Sequence, residues 1–441
     1  MIRQKVLFVF CSLCLAGGSV YAAEKEKALG NFSNPVAVQE VMTGKRKTAN
    51  AAWWGFNKSD STFALQSAIN SGASKVIVPY TGKNWITRPL TLQSNQEVVL
   101  EPGVVVVAKA GEFKGKFDCL FSASKCSNII LSGYGATLRM RKSDYKSPPY
   151  TKSEHRHTLQ LKACSDVKVL GLRFENSGGD GIFITRDNYS VPCKNVLVKD
   201  CICDNNYRQG ISVISVIKLR IDNCVLKNTR GTPLQSGIDL EPSNQRAMLV
   251  DVIISNCVAI NNIGTGFNVN ITGLDSTSRE VSVLFVNCYA KDCGGANLAV
   301  FASKETRRPR GLIEFKNCIS ESSTHGGAHV WWWKKEGTPI RLRFSDCKFR
   351  NTSGKLNTEP IYLKLKRKKT ANRAEGIEFV NCYVFDEQDH PFLKLVGFGG
   401  KTGIYDIRGD INVYNPYGAK VNAPVAASEL ALNIKSFKTR R

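Results

Sequence analysis

The chain has 441 residues, with 61 Lys or Arg against 37 Asp or Glu, a formal net charge of +24 at neutral pH. At 42% hydrophobic and 22% charged residues, it is too apolar for a disordered polyelectrolyte and long enough to bury a sizeable core. No stretch approaches the roughly 20 apolar residues that a spanning helix needs, so no membrane span is expected.

The first residues read as an export signal. Arg3 and Lys5 precede the apolar run Val6 to Ala16, and Val20-Tyr21-Ala22 is a cleavage site of the small-residue type. Residues 1–22 are therefore expected to be removed, leaving a secreted or periplasmic chain of about +22. Such an excess points to a polyanionic partner, and an exported protein meets acidic or sulfated glycans rather than nucleic acid. The plain alternative is a basic surface that serves solubility. The bases gather late, in Arg307-Arg308-Pro309-Arg310, Lys334-Lys335 and Lys366-Arg367-Lys368-Lys369. Runs of this kind mark loops and report on a partner more than on chemistry.

Residues 23–58 read as an N-terminal extension. Ser59-Asp60-Ser61 then caps a helix over Thr62 to Ser71, with Leu65, Ala68 and Ile69 on one face and Gly72 after its end. Lys75-Val76-Ile77-Val78-Pro79 opens the strands. From there a repeat of about thirty residues takes over. Asp or Asn precedes Cys at Asp200-Cys201, Asn223-Cys224, Asn256-Cys257, Asn287-Cys288, Asn317-Cys318, Asp346-Cys347 and Asn381-Cys382. A second series runs Gly181-Ile182-Phe183-Ile184, Gly210-Ile211-Ser212-Val213, Gly237-Ile238-Asp239-Leu240 and Gly266-Phe267-Asn268-Val269. It continues through Gly295-Ala296-Asn297-Leu298, Gly327-Ala328-His329-Val330 and Pro360-Ile361-Tyr362-Leu363.

Each unit thus holds short strands of period-two alternation separated by Gly, Asn or Asp. A unit this small cannot bury its apolar face alone, whereas stacked copies can. One Asn and one Cys per turn would form ladders along the stack. That accounts for thirteen cysteines, an odd number, after signal removal. Laddered Cys side chains run parallel, which is poor geometry for bridging, and they act as small apolar fillers. A lesser stack, Cys126-Ser127-Asn128, Cys164-Ser165-Asp166 and Cys193-Lys194-Asn195, fits the same scheme. The repeat is expected to span 59–415 as one domain, with 416–441 as a closing cap and basic tail.

The helix "DSTFALQSAINSGASKVIVP" followed by about ten coils resembles the pectate-lyase-like superfamily. The resemblance covers nearly the whole mature chain and implies an all-β, right-handed parallel β-helix acting on a polysaccharide as a monomer. Members include lyases, hydrolases, epimerases, adhesins and tailspikes, so the fold does not choose the chemistry. Polygalacturonase-type hydrolases carry Asn-x-Asp, Asp-Asp, Gly-His-Gly and Arg-x-Lys in order. Here Gly179-Asp180-Gly181 offers a single Asp without the rest of that series, and the Asp-Pro-His of alginate epimerases is also missing.

In the second series the residues after each Gly alternate between core and solvent. The outward column is expected to read Phe183, Ser212, Asp239, Asn268, Asn297, His329, and the next one Thr185, Ile214, Glu241, Asn270, Ala299, Trp331. Asp180, Gln209, Ser236 and Thr265 stand just before the glycines. One face thus collects Asp180, Asp239, Glu241, Asn268 and Asn270, with Tyr207 and Arg208 arriving from a turn. Glycoside hydrolysis needs one carboxyl group to protonate the leaving oxygen and one to activate water or attack. Asp239 and Glu241 are the expected pair, with Asp180 as a third carboxylate and Arg208 holding an acidic substituent or tuning a carboxyl group.

A lyase would use the patch differently. Asp239, Glu241, Asn268 and Asn270 would hold Ca²⁺ as hard oxygen ligands, while Tyr207, Arg208 or His157 removed a C5 proton. The hydrolase needs no cofactor or metal. Ordinary outward polar residues on a solvated sheet are the third reading, leaving a non-catalytic glycan-binding surface protein. His155 and His157 enter as substrate contacts rather than metal ligands. Trp331 and Trp333 of Trp331-Trp332-Trp333 would offer flat faces to sugar rings, or pack beneath a loop.

Overall fold

The structure, a computed structural model, describes residues 32–303, 309–333, 340–350, 359–365, 373–374, 376–397, 403–404, 407–423 and 430–438. The expected export signal, Arg307-Arg308 and the other two basic runs lie outside these residues, as do the side chains of Trp332 and Trp333. Among the described residues, no helix is long and apolar enough to cross a membrane.

The chain is a right-handed parallel β-helix. Each turn lays down three short strands, and each strand pairs in parallel with its counterpart one turn on. Ser165–Leu170 lies on Cys193–Lys199, which lies on Val216–Asp222. Arg173–Glu175, Ile202–Asp204 and Val225–Lys227 stack beside them. The third stack is a sheet of twelve strands. Its members are β1 (Leu90–Thr91), β2 (Phe121–Ser124), β3 (Leu159–Lys162), β4 (Ile182–Thr185), β5 (Gln209–Val213) and β6 (Ser236–Leu240). They continue as β7 (Phe267–Asn270), β8 (Leu298–Ser303), β9 (Ala328–Trp333), β10 (Ile361–Leu365), β11 (Leu393–Gly397) and β12 (Val421–Asn422).

Asn and Asp recur at the corners because the backbone there is left-handed, a conformation that most side chains avoid. Asp200, Asn223, Asn256, Asn287, Asn317, Asp346 and Asn381 all have φ between 49° and 56°. Their side chains link successive turns, with Nδ2 of Asn223, Asn317 and Asn381 donating to Asp200, Asn287 and Asp346 at 2.7–2.8 Å. The Cys that follows each corner is buried and unpaired, as are Cys164 and Cys193 of the lesser stack. Inside, Phe285, Phe315, Phe344 and Phe379 stack at 4.6–5.4 Å between ring centroids.

Helix α1 (Pro35–Met42) starts on Asn34, whose side chain accepts from Ala37 N. Helix α2 (Thr62–Asn70) seals the first turn with Leu65, Ala68 and Ile69 fully buried, which covers strand edges that would otherwise pair with another chain. Its cap differs from the expected one in a single respect. Ser61 makes no side-chain cap bond and donates to Asn57 O instead, while Asp60 Oδ1 accepts from Thr62 N at 3.0 Å. At the far end, Ala431–Phe437 pairs with Ile407–Tyr414 and adds one more strand to the stack.

Candidate functional site

The register of the twelve-stranded sheet fixes which side chains share its outer face. Phe183, Ser212, Asp239 and Asn268 lie in one column, and the column goes on through Ala299, His329, Tyr362 and Lys394. Beside it, Glu241 follows Leu240 out of β6, and the neighbouring column from Asn270 reads Phe301, Trp331 and Lys364. Two expected places on β8 are therefore corrected. Ala299 takes the place given to Asn297, and Phe301 the place given to Ala299. The Gly294-Gly295 pair sits early because the chain there passes against Ile263 and Gly264, where a Cβ would meet backbone atoms. It resembles the glycine of the other strands without standing in register with it.

Around β3–β7 the carboxylates form two layers. In the lower layer Asp180, Asp239 and His157 have no exposed surface. Asp239 accepts from Gln209 Nε2 at 2.9 Å and from Asn268 Nδ2 at 2.7 Å. Gln209 is held in that orientation because its Oε1 accepts from Ser236 N. His157 Nδ1 accepts from Asp180 N at 3.0 Å, and its ring stacks on Phe183 at 4.3 Å. Nδ1 also lies 3.2 Å from Asp180 Oδ2.

In the upper layer Arg208 bridges the two, lying 3.5 Å from Asp180 Oδ2 and pairing with Glu241, which also accepts from Ser212. Glu241 keeps 20% of its side chain exposed. It faces a cleft of about 350 Å³ lined also by Glu154, His155, Phe183, Arg208 and Asn270. Burial, with His157 beside it, holds His155 below its usual range. The turn after β6 and the turn after β7 close the cleft with Pro242, Ser243, Thr272 and Gly273.

The expected residues therefore divide by depth and distance. Glu241, Arg208, His155 and Asn270 line the cleft, while Asp180, Asp239, His157 and Asn268 form its floor. Tyr207 does not join them, because its ring lies over Gly231. Asn297 is buried and donates to Ser320 Oγ and Glu321 O, away from the cleft. His329 and Trp331 share the same face three strands further along. Glu154 was not among the expected residues, since it sits in the turn before β3, outside the alternating pattern. Nor was Gln209 given a role, although its place before a glycine was visible.

Three of the four residues expected to hold calcium are engaged in protein contacts, and Asn268 Oδ1 has no hydrogen-bond partner. Asp239 oxygens are taken by amide donors, Glu241 by Arg208, and Asn270 Oδ1 accepts from Thr272. Among the described residues, no group of three or more His, Cys, Asp and Glu is placed to hold a metal ion.

Burial pushes the Asp239 carboxyl up to about 7, with Asn268 and Arg208 opposing and Asp180 adding to the rise. A carboxyl raised in the fold binds a proton that the unfolded chain has already lost at pH 5–6. Its contribution to stability is full below about pH 4 and is lost as pH rises through about 7. Asp239→Asn should remove that dependence, because a neutral amide does not ionise. Unfolding free energies at pH 4.5 and pH 8 should then fall for the native chain by on the order of a few kcal/mol more than for the variant. Equal pH slopes for the two would contradict the assignment.

A family model described as "Right handed beta helix region" matches residues 112–250 and 150–278. No curated protein matches the sequence. Among solved structures, the mannuronan C-5 epimerase AlgE4 A-module of Azotobacter vinelandii aligns with a TM-score of 0.59 at 11% identity, over 88% of this chain and 97% of that one. The AlgE6 A-module from the same organism gives 0.52 at 12% identity, over 88% and 98%. The Dettilon tailspike protein gives 0.55 at 12% identity, over 94% and 73%. At such identities these structures share the fold with this chain.

Proposed function

We propose that this right-handed parallel β-helix protein is an exported enzyme that lays an acidic polysaccharide along the β1–β12 face and hydrolyses it in the Glu241 cleft. One observation carries the proposal. Two carboxylates, Glu154 and Glu241, line the same cleft as Arg208, His155 and Asn270, above a floor of buried Asp180 and Asp239.

A reacting group must touch its substrate. Glu241 and Glu154 do so from the cleft wall and form the acid and base pair in this account. Asp239, with no exposed atom, acts as a positioning residue that holds Gln209 and Asn268 beneath Glu241. Arg208 lines the same cleft, paired with Glu241 and lying 3.5 Å from Asp180, where it tunes the carboxyl groups. The charge of +24 favours an anionic polymer. A mannuronan epimerase of like fold supports a polymeric sugar as the substrate class.

The test is an end-group assay of the purified chain on polyuronate, sulfated and neutral polysaccharides, with ultraviolet absorbance read on the same samples. New reducing ends on an anionic polymer without added absorbance are expected. New ends accompanied by absorbance would replace hydrolysis with β-elimination. No new ends on any of them would leave a glycan-binding protein.

A further inference from the structure

The outer face of β8–β11 carries a second cluster that the cleft does not use. Phe301, Trp331 and Lys364 continue the column from Asn270, and His329, Tyr362 and Lys394 continue the column from Asp239. Trp331 is held from several sides. Its Nε1–H donates to His329 Nε2, Phe301 meets it edge-on at 5.0 Å, and Lys364 Nζ sits 4.4 Å from the ring centre. Tyr362 meets His329 at 4.6 Å, and Lys394 Nζ lies 5.9 Å from the Tyr362 ring while pairing with Glu359 at 2.9 Å. Burial, with His325 and Lys364 alongside, holds His329 down at about 4, so at neutral pH it stays an acceptor for the indole N–H.

We propose that Trp331, Tyr362, Lys364 and Lys394 form a distal subsite for an acidic sugar unit of the same polysaccharide, beginning three strands from Glu241. The inference rests on the proposed function for the identity of that polymer. Aromatic rings take up the apolar face of a pyranose, and an ammonium held over one face of such a ring meets a carboxylate or sulfate on a sugar that reaches the same cluster. Three strand spacings come to about 14 Å, the reach of a short oligosaccharide lying along the helix axis. Charge points the same way. In the sequence, β8, β9 and β10 are followed by Lys304, by Lys334-Lys335 and by Lys366-Arg367-Lys368-Lys369. Each of the three strands is thus followed in the sequence by basic residues. Column, plate and charge agree on an anionic chain that runs from the cleft toward β11.

Affinity electrophoresis of the full chain tests this with polygalacturonate, dextran sulfate and unmodified dextran as probes. The native chain should bind one of the two anionic polymers at least about tenfold more tightly than dextran, and Trp331→Ala should weaken that binding by about tenfold. Lys364→Gln should cost roughly three- to tenfold and narrow the preference over dextran. Trp331→Phe, which keeps an aromatic plate, should recover most of the loss and separates a lost contact from a misfolded rung. Preference for dextran sulfate identifies sulfate as the recognised group, and preference for polygalacturonate identifies the carboxylate. Variants that fold and bind as the native chain does would overturn the subsite, as would equal binding of dextran or no binding to any probe. The two proposals fail separately. Binding that depends on Trp331 without cleavage removes the hydrolase and leaves the subsite. Cleavage with unchanged binding in both variants removes the subsite alone.

Discussion

Glu241→Gln should lower the rate of polysaccharide cleavage by about 10²- to 10⁴-fold, the range that acid–base groups contribute, while the melting temperature stays close to that of the native chain. The expectation follows from how little the amide disturbs. Gln keeps an oxygen that can accept from Ser212 and Arg208, as Glu241 does, and it fills the same space on a side chain that is already one-fifth exposed. It cannot take or give a proton at that place. Glu154→Gln should lose rate on a similar scale, because it removes the second carboxylate of the same cleft. Asp239→Asn should lose much less, since Asp239 touches no solvent. Initial rates on the best-cleaved polymer, with a melting curve for each variant, decide the matter. A Glu241→Gln protein that cleaves at the native rate would move the chemistry elsewhere.

The largest stability effect is expected at Arg208. Its guanidinium lies between Asp180, which has no exposed surface, and Glu241, and only 11% of its side chain is exposed. Arg208→Ala leaves Asp180 without that cation in the floor of the cleft. Breaking a buried pair from one side costs about 3–5 kcal/mol. Denaturant unfolding should show a loss of that order, with an unchanged m-value if the fold persists. Arg208→Lys should lose less, because it restores the charge but not the two-sided fork. The double variant Asp180→Asn with Arg208→Met should recover most of the loss, since neither charge then remains buried alone. A loss under 1 kcal/mol in Arg208→Ala would show that the bridge is not what holds the floor together.

Much of the architecture was legible in the residues, and the reasons are local. A left-handed corner selects Asn or Asp, a tight interior angle selects Cys, and parallel stacking repeats both in every turn. The spacing of Asn223, Asn256, Asn287 and Asn317 therefore reports the coil directly. Period-two alternation was enough to put Asp239 and Glu241 on the outer face, but it carries no information about depth. Asp239 is covered because Gln209 and Asn268 from adjacent strands close over it, a consequence of register rather than of composition. Glycine proved an ambiguous marker. Gly210, Gly237 and Gly266 each approach the backbone of the next turn, whereas Gly294 and Gly295 approach that of the turn before and stand ahead of Asn297, which takes the glycine's place in register. That slip misplaced Asn297 and Ala299 and hid Phe301, although Trp331 stood in its expected column. Glu154 lay beyond reach for a different reason. A residue in a non-repeating turn has no column to place it.

The central claim is hydrolysis of an anionic polysaccharide in the Glu241 cleft, and proton NMR of the products tests it most directly. Native chain and Glu241→Gln would be incubated side by side with the polymer that binds best. The account predicts new reducing-end anomeric signals in the native sample, no vinylic proton signal, and neither change with the variant. A vinylic signal, or identical products from both proteins, would contradict it.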